Sequence, residues 1–330
     1  MKRVLTGIKP TGLPHIGNYF GAIRPALDLS QKYDSFYFIA DYHALTTIKD
    51  PKLMTEYTLN IAAAWLALGL DPDKTIFYKQ SDITEIFELS WILSCFSAKG
   101  LLNRAHAYKS AVDENLKTHH DMDHNINHGI YAYPVLMAAD ILLFNTDLVP
   151  VGSDQKQHIE IARDIAEAIN NVAGPVLKVP EPLIQDDTKL VPGIDGLKMS
   201  KNYNNTIPIF LPEKQLRKKV MQIVTDSTPV EAPKNAVECN VFKLFALFNN
   251  DDEQANLAKR YSAGGLGYGT VKQELFDTIM SFFKLARSDY DKIIEKPEYC
   301  SRLLAEGKQK AKEIASQTLI KVKYALGFTA

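Results

Sequence analysis

Two stretches hold side chains able to manage a polyphosphate. "KPTGLPHIGNYFGAI" (9–23) follows a short apolar run and turns directly into an amphipathic pattern. Gly7 and Gly12 permit a close backbone turn, and a helix starting near His15–Gly17 would aim free backbone N–H groups and its positive dipole end into a crevice. "DGLKMSKN" (195–202) sets Lys198 and Lys201 three apart in a Gly-containing loop. Two flexible ammonium groups there suit a phosphate chain whose charge moves as a bond to the α-phosphorus forms. A third stretch, Tyr133-Pro-Val-Leu-Met137-Ala-Ala-Asp140, spaces three side chains at i, i+4 and i+7, one face of a helix able to line one pocket. Asp140 stands within the apolar "LMAADILLF", where an unpaired carboxylate is costly.

The elements that must position these groups fall in two parts. "RVLTGI" (3–8), "SFYFIAD" (35–41), "TIFYKQ" (75–80) and "DLVPVG" (147–152) read as buried strands. Helical patterns lie between them at roughly 16–32, 52–69, 84–98, 131–143 and 154–170. Such alternation predicts a doubly wound, Rossmann-like α/β sheet with its ligand beyond the carboxyl ends of the strands. Neither GxGxxG nor GxxxxGK[ST] occurs, so the dinucleotide fingerprint and the P-loop are absent. Past about residue 205 only helical spacing remains. The expected domains are 1–205, carrying an insertion near 101–130, and an all-helical 206–330.

The 330 residues include 46% hydrophobic ones, with a net charge of −1. No stretch approaches the roughly 20 apolar residues of a membrane span, and "MKRVLTGI" has no secretory h-region. Cys95, Cys239 and Cys300 lie far apart, without the spacing of a thiolate zinc site. A cytoplasmic protein with no membrane partner is expected. From Thr206 onward 19 Lys and Arg face 15 Asp and Glu, a weak basic bias toward nucleic acid.

HIGN near the start and KMSK about 180 residues on, within one α/β domain, together resemble the class I aminoacyl-tRNA synthetases, and specifically the tryptophanyl-tRNA synthetase family. "GIKPTGLPHIGNYFGAI" is similar to the H-I-G-H region and "GLKMSKN" to the KMSKS loop. "YPVLMAADILLFNTDLVPVGSDQKQHIE" (133–160) resembles the amino-acid pocket and ribose-binding stretch. "IVTDST" (223–228) and "GGLGYGTVKQEL" (264–275) resemble the C-terminal domain. The resemblance implies ATP with Mg²⁺, tryptophan and its tRNA as partners, a homodimer, and anticodon binding by the helical domain. It implies catalytic roles for His15, Asn18, Lys198 and Lys201. Lys9, Pro10, Thr11, Gly17, Asn18, Gly152, Ser153, Asp154 and Leu190, with Lys198, Met199, Ser200, Lys201 and Asn202, would bind ATP. Around tryptophan it implies Asp140, Tyr133, Met137, Gln155, His43, Leu5, Val149 and Val151. The family often carries Gln where Lys9 stands, and Asn18 and Asn202 occupy the last positions of the two signatures.

The sister family specific for tyrosine tends to carry Gln where Met137 stands. An indole offers one N–H donor and no acceptor, which Asp140 on an otherwise apolar wall would satisfy. The length leaves no room for an editing domain. A synthetase-like protein without aminoacylation, and a bare ATP-dependent nucleotidyltransferase, are the competing readings; intact Lys198, Lys201 and Asp140 weigh against the first, the helical C-terminal part against the second. "THHDMDHNINHG" (118–129) would align His120, His124 and His128 as a metal array if helical, though a polar surface segment is favoured. Lys109 would reach either the phosphates or solvent.

Overall fold

The computed structural model describes residues 1–152, 155–184 and 191–328. Strands β1 (Arg3–Ile8), β2 (Asp34–Ile39), β3 (Thr75–Lys79), β4 (Leu148–Val151) and β5 (Glu181–Ile184) form one parallel sheet in the order β3-β2-β1-β4-β5. β1 pairs with β2 from Arg3 opposite Asp34 to Ile8 opposite Ile39. Val4, Leu5, Phe36, Tyr37, Phe38, Phe77 and Tyr78 are buried, as strands covered on both faces require. β5 has no counterpart among the expected strands. Its four residues "EPLI" include Pro182, which an edge strand tolerates because it need not donate there. β1 has β2 on one side and β4 on the other, so the chain reverses its winding there and a crevice opens at their carboxyl ends.

Helices cover both faces. After β1 come α1 (Ile16–Asn18), a π-helical turn (Tyr19–Ile23) and α2 (Arg24–Ser30), then α3 (Asp41–Ala44) and α4 (Pro51–Ala67). Asp50 accepts from the Lys52 and Leu53 N–H groups, and Pro51 fits the first turn; such a cap contributes about 1 kcal/mol. α5 (Glu85–Cys95), α6 (Lys99–Asn103), α7 (His106–Lys117), α8 (His128–Leu142) and α9 (Lys156–Ala173) complete the α/β part.

Among the described residues no strand follows Ile184. α10 (Glu213–Met221), α11 (Asn240–Phe245), α12 (Asp251–Ala263), α13 (Tyr268–Phe282), α14 (Lys284–Glu295) and α15 (Pro297–Ala325) form the remainder. They pack on the α/β part along β3, α4, α5 and the π-turn. α15 returns to β3 so closely that a Cβ on Gly307 would stand 1.8 Å from the Phe77 carbonyl oxygen, and only glycine fits. Tyr19 and Phe20 of the π-turn meet Phe248, Phe282 and Phe283 edge-on, with Tyr19–Phe283 centroids 5.0 Å and Phe20–Phe248 centroids 5.2 Å apart. Each such pair adds about 0.5–1.5 kcal/mol beyond burial, tying the segment after β1 to the helical part.

Candidate active site

A cavity of about 100 Å³ lies at the carboxyl ends of β1 and β4. Its lining includes Leu5, His43, Tyr133, Met137, Asp140, Val149, Val151 and Gln155, all eight residues expected around the amino acid. The three α8 residues share the face that their spacing implies. Gly7 lets the sheet close over this cavity, because a Cβ there would be 2.5 Å from the Phe38 ring.

Asp140 is 1% exposed, and its surroundings are more polar than the sequence implies. Gln80, fully buried in the turn after β3, donates its amide nitrogen to Oδ1 at 2.9 Å and to Oδ2 at 2.8 Å. His43 Nε2 lies 2.9 Å from Oδ2, and the Gln80 carbonyl oxygen accepts from the His43 backbone N–H at 3.2 Å. The "otherwise apolar wall" is therefore corrected: the carboxylate sits in a clamp. Burial raises its pKa, His43 and Gln80 pull it down, and the charge of Asp41 pushes it up again. An ionised Asp140 needs a proton on His43 Nε2, and Nδ1 is buried without a hydrogen-bond partner among the described residues. The Tyr133 ring lies 4.3 Å from that of His43, and burial pushes its phenol up to about 12.

A larger cavity of about 760 Å³ adjoins the first, sharing Thr6, Gly7, Pro150, Val151 and Gln155 with it. Thr11, His15, Gly17, Asn18, Gly152 and the run Lys198–Asn202 line it. Lys9 and Pro10 do not. Pro10 is buried, while Lys9 lines the small cavity with its ammonium 4.3 Å above the Tyr133 ring and its pKa lowered by burial. Ser153, Asp154 and Leu190 lie outside the described residues.

His15 begins the helix as a capping box: its Nδ1 accepts from the Asn18 N–H at 3.2 Å, and Asn18 Oδ1 accepts from the His15 N–H at 3.1 Å. Burial first and the Lys201 charge second lower His15 to about 4, so it is neutral. The free N–H groups expected here are in fact engaged. Ile16 donates to the Ile207 carbonyl at 3.1 Å and Gly17 to the Met199 sulfur at 3.3 Å. Lys201 donates to the Gly12 carbonyl at 3.0 Å and Thr11 Oγ1 at 3.3 Å, and burial lowers it to about 8. The two signature stretches are thus in direct contact.

Sequence reasoning missed Gln80 and Asn205. Asn205, 1% exposed, holds the lysine loop in shape. Its Oδ1 accepts from Ser200 N–H at 2.7 Å, and its amide donates to Asp195 at 2.8 Å and to the Lys198 carbonyl at 3.1 Å. No residue-type signal marks either position; only the fold brings them in.

The histidine-rich segment is not helical between Lys117 and His128, so the i, i+4, i+8 face is not formed. His120 and His124 stack at 4.4 Å, His120 beside Thr118 and His124 beside Asn125. Among the described residues no group of three His, Cys, Asp or Glu could hold a metal ion. Lys109 is exposed and lines neither cavity.

Against known proteins, the model of the class I tRNA synthetases (W and Y) matches residues 1–284. A tryptophan–tRNA ligase of Fusobacterium nucleatum is 48% identical over 328 residues, covering 99% of this chain and 98% of its own. A tryptophanyl-tRNA synthetase of Campylobacter jejuni, crystallised with ADP and tryptophan, is 47% identical with a TM-score of 0.91, covering 98% of this chain and 99% of that one. The enzyme from Mycoplasma pneumoniae is 29% identical at a TM-score of 0.81, covering 100% and 98%.

Proposed function

The chain belongs to the class I tRNA synthetases of tryptophan and tyrosine, and we infer from that membership that its two cavities serve one reaction in two steps. It activates L-tryptophan with ATP and transfers the tryptophan to tRNA. The observation that carries the amino-acid assignment is the small cavity, where Asp140 supplies a buried acceptor and Met137, Leu5 and Val149 supply apolar surface.

In the first step a tryptophan carboxylate oxygen bonds to the α-phosphorus as the bond to the β-phosphate oxygen breaks, giving tryptophanyl-adenylate and pyrophosphate. No protein nucleophile is needed. Lys198 and Lys201 stabilise charge on the departing pyrophosphate, His15, Gly17 and Asn18 shape the crevice beneath it, and Met199 and Asn202 hold the loop over it. Thr11, Gly152 and Ser200 border the nucleotide, and Ser153, Asp154 and Leu190 are assigned to it on sequence likeness. Asp140 accepts the indole N–H, and Tyr133 and Gln155 hold the amino group. Lys9, beside Tyr133 in the lining of the small cavity, is assigned to the amino-acid side. In the second step a hydroxyl of the terminal tRNA ribose attacks the carbonyl carbon and AMP leaves. The described lining of the larger cavity offers no carboxylate, so Mg²⁺ bound with ATP would take phosphate oxygens and water as ligands.

Residues 206–330 are assigned to the anticodon side of the tRNA. Phe87 and Trp91 of α5, one turn apart and 45% and 74% exposed, are assigned to a twofold partner. A soluble, cytoplasmic homodimer is the assembly proposed; no described helix is long and apolar enough to cross a membrane. Sedimentation showing a monomer that charges tRNA at full rate would remove the dimer. The activity itself is tested by exchange of labelled pyrophosphate into ATP, expected with tryptophan. Exchange driven better by tyrosine would overturn the pocket assignment.

A further inference from the structure

Asp140 alone does not explain how a carboxylate stays ionised in a cavity it barely shares with water. Removing such a group from solvent favours its neutral form, and a neutral carboxyl is a poorer acceptor for an indole N–H. We propose that Gln80 is a positioning residue for tryptophan selection, its amide bridging both oxygens of Asp140 so that the carboxylate is kept charged and its plane fixed toward the cavity. The proposal rests on the reading that Asp140 accepts the indole N–H.

Several observations converge on Gln80. It is fully buried, and its two polar atoms are both used, the nitrogen on Asp140 and the oxygen on the His43 backbone. The oxygen fixes which way the amide faces: with Oε1 on an N–H donor, Nε2 must point at Asp140. That backbone bond also sets the start of α3, from which the His43 ring reaches the same carboxylate. Three donor contacts occupy three of roughly four acceptor positions on an ionised carboxylate, leaving one for a ligand. A neutral amide fits this place better than a cation would, since a full opposite charge would compete with the ligand for the carboxylate.

The other ionisable groups around Asp140 do not replace it. On α3, Asp41 repels the charge and is itself occupied by the Ser81 and Tyr42 backbone N–H groups and the Ser81 hydroxyl. Burial first, and then the charge of Asp140, hold the phenols of Tyr78 on β3 and Tyr133 on α8 above their ordinary range. Lys9 faces the Tyr133 ring, and His158 of α9 meets that ring from another side. Among the described residues, His43 and then Gln80 are the leading groups that pull Asp140 toward its charged form.

The test compares tryptophan with its benzothiophene isostere, which lacks the N–H, in pyrophosphate exchange across pH on wild type, Gln80→Met, Gln80→Glu and Asp140→Asn. Wild type should prefer tryptophan, and Asp140→Asn should lose most of that preference. If wild type shows none, the reading of Asp140 fails before Gln80 is judged. Gln80→Met, close in volume, should lose on the order of 10-fold of the preference. Its KM for tryptophan should rise with little change in KM for ATP, and the acid limb of kcat/KM for tryptophan should move to higher pH. Should Gln80→Met not fold, Gln80→Glu decides: it donates only while protonated, so its use of tryptophan should fall as pH rises, opposite in sign to wild type. A wild-type preference and an unmoved acid limb in a folded Gln80 variant would overturn the proposal.

Discussion

The backbone N–H of Gly17 donates to the sulfur of Met199 at 3.3 Å, across 182 positions of sequence. A thioether is a weak acceptor, so this bond can give way to a phosphate oxygen at little cost. Met199→Leu removes the competitor at similar volume. The KM for ATP should fall a few-fold with kcat nearly unchanged, as measured by pyrophosphate exchange at saturating tryptophan; a large loss of kcat would mean that the contact shapes the transition state.

Lys198→Ala and Lys201→Ala should each slow tryptophan activation by on the order of 10²-fold or more, acting mainly on kcat. For Lys201 the charge is also pH-dependent. Burial lowers its pKa to about 8, so the free enzyme keeps the ammonium below that value and loses it as pH rises through it. The kcat/KM for ATP should decline above about pH 8, and Lys201→Arg, which stays charged, should abolish that basic limb even if its overall rate is lower.

Asp140→Ala should depress tryptophan activation far more than it raises the KM for ATP. Its preference over phenylalanine should shrink by roughly 2–3 kcal/mol, the worth of a charge-assisted hydrogen bond from the indole N–H to a buried carboxylate. Met137→Gln should weaken tryptophan use without creating good tyrosine activity. Exchange rates with the three amino acids on each variant measure both.

His15 links folding to pH. Its folded pKa of about 4 lies below the ordinary 6.5, so between these values the unfolded chain binds more protons. Stability from this site is fully present above about pH 6.5 and is lost as pH falls toward 4. Thermal melting of wild type should show that loss, and His15→Asn, which can still cap the helix, should show a shallower one.

Asn205→Ala leaves the Ser200 N–H without its partner. A part-buried donor so stranded costs about 1 kcal/mol, the low end of the range for buried groups, which melting would detect. If Asn205 holds the lysine loop in its working shape, the loss in kcat should be about 10-fold, and Asn205→Asp should recover little because a carboxylate cannot donate to Asp195 or the Lys198 carbonyl.

The sheet was readable where strands are buried on both faces, as "SFYFI" is, because nothing polar interrupts the run. β5 was not, since four residues containing Pro182 carry too little pattern. The lining of the small cavity was readable in the parts that share one helix face, Tyr133, Met137 and Asp140, and through likeness for His43 and Gln155. Gln80 was not, because it lies 60 positions from Asp140 and meets it only once α8 packs beside the end of β3 in the folded chain. The expected open helix terminus at Ile16–Asn18 failed for a related reason: its N–H groups are satisfied by His15, Ile207 and Met199, two of which are distant in the chain.

Thr6, Gly7, Pro150, Val151 and Gln155 form a wall common to both cavities. On the proposed reading, tryptophan and ATP would each grip one side of that wall, whereas the adenylate made across it would grip both. Its departure requires two sets of contacts to let go together, because either half that loosens is kept at high local concentration by the other. On that reading, bivalency of this kind would slow the escape of the reactive mixed anhydride relative to either substrate until tRNA arrives.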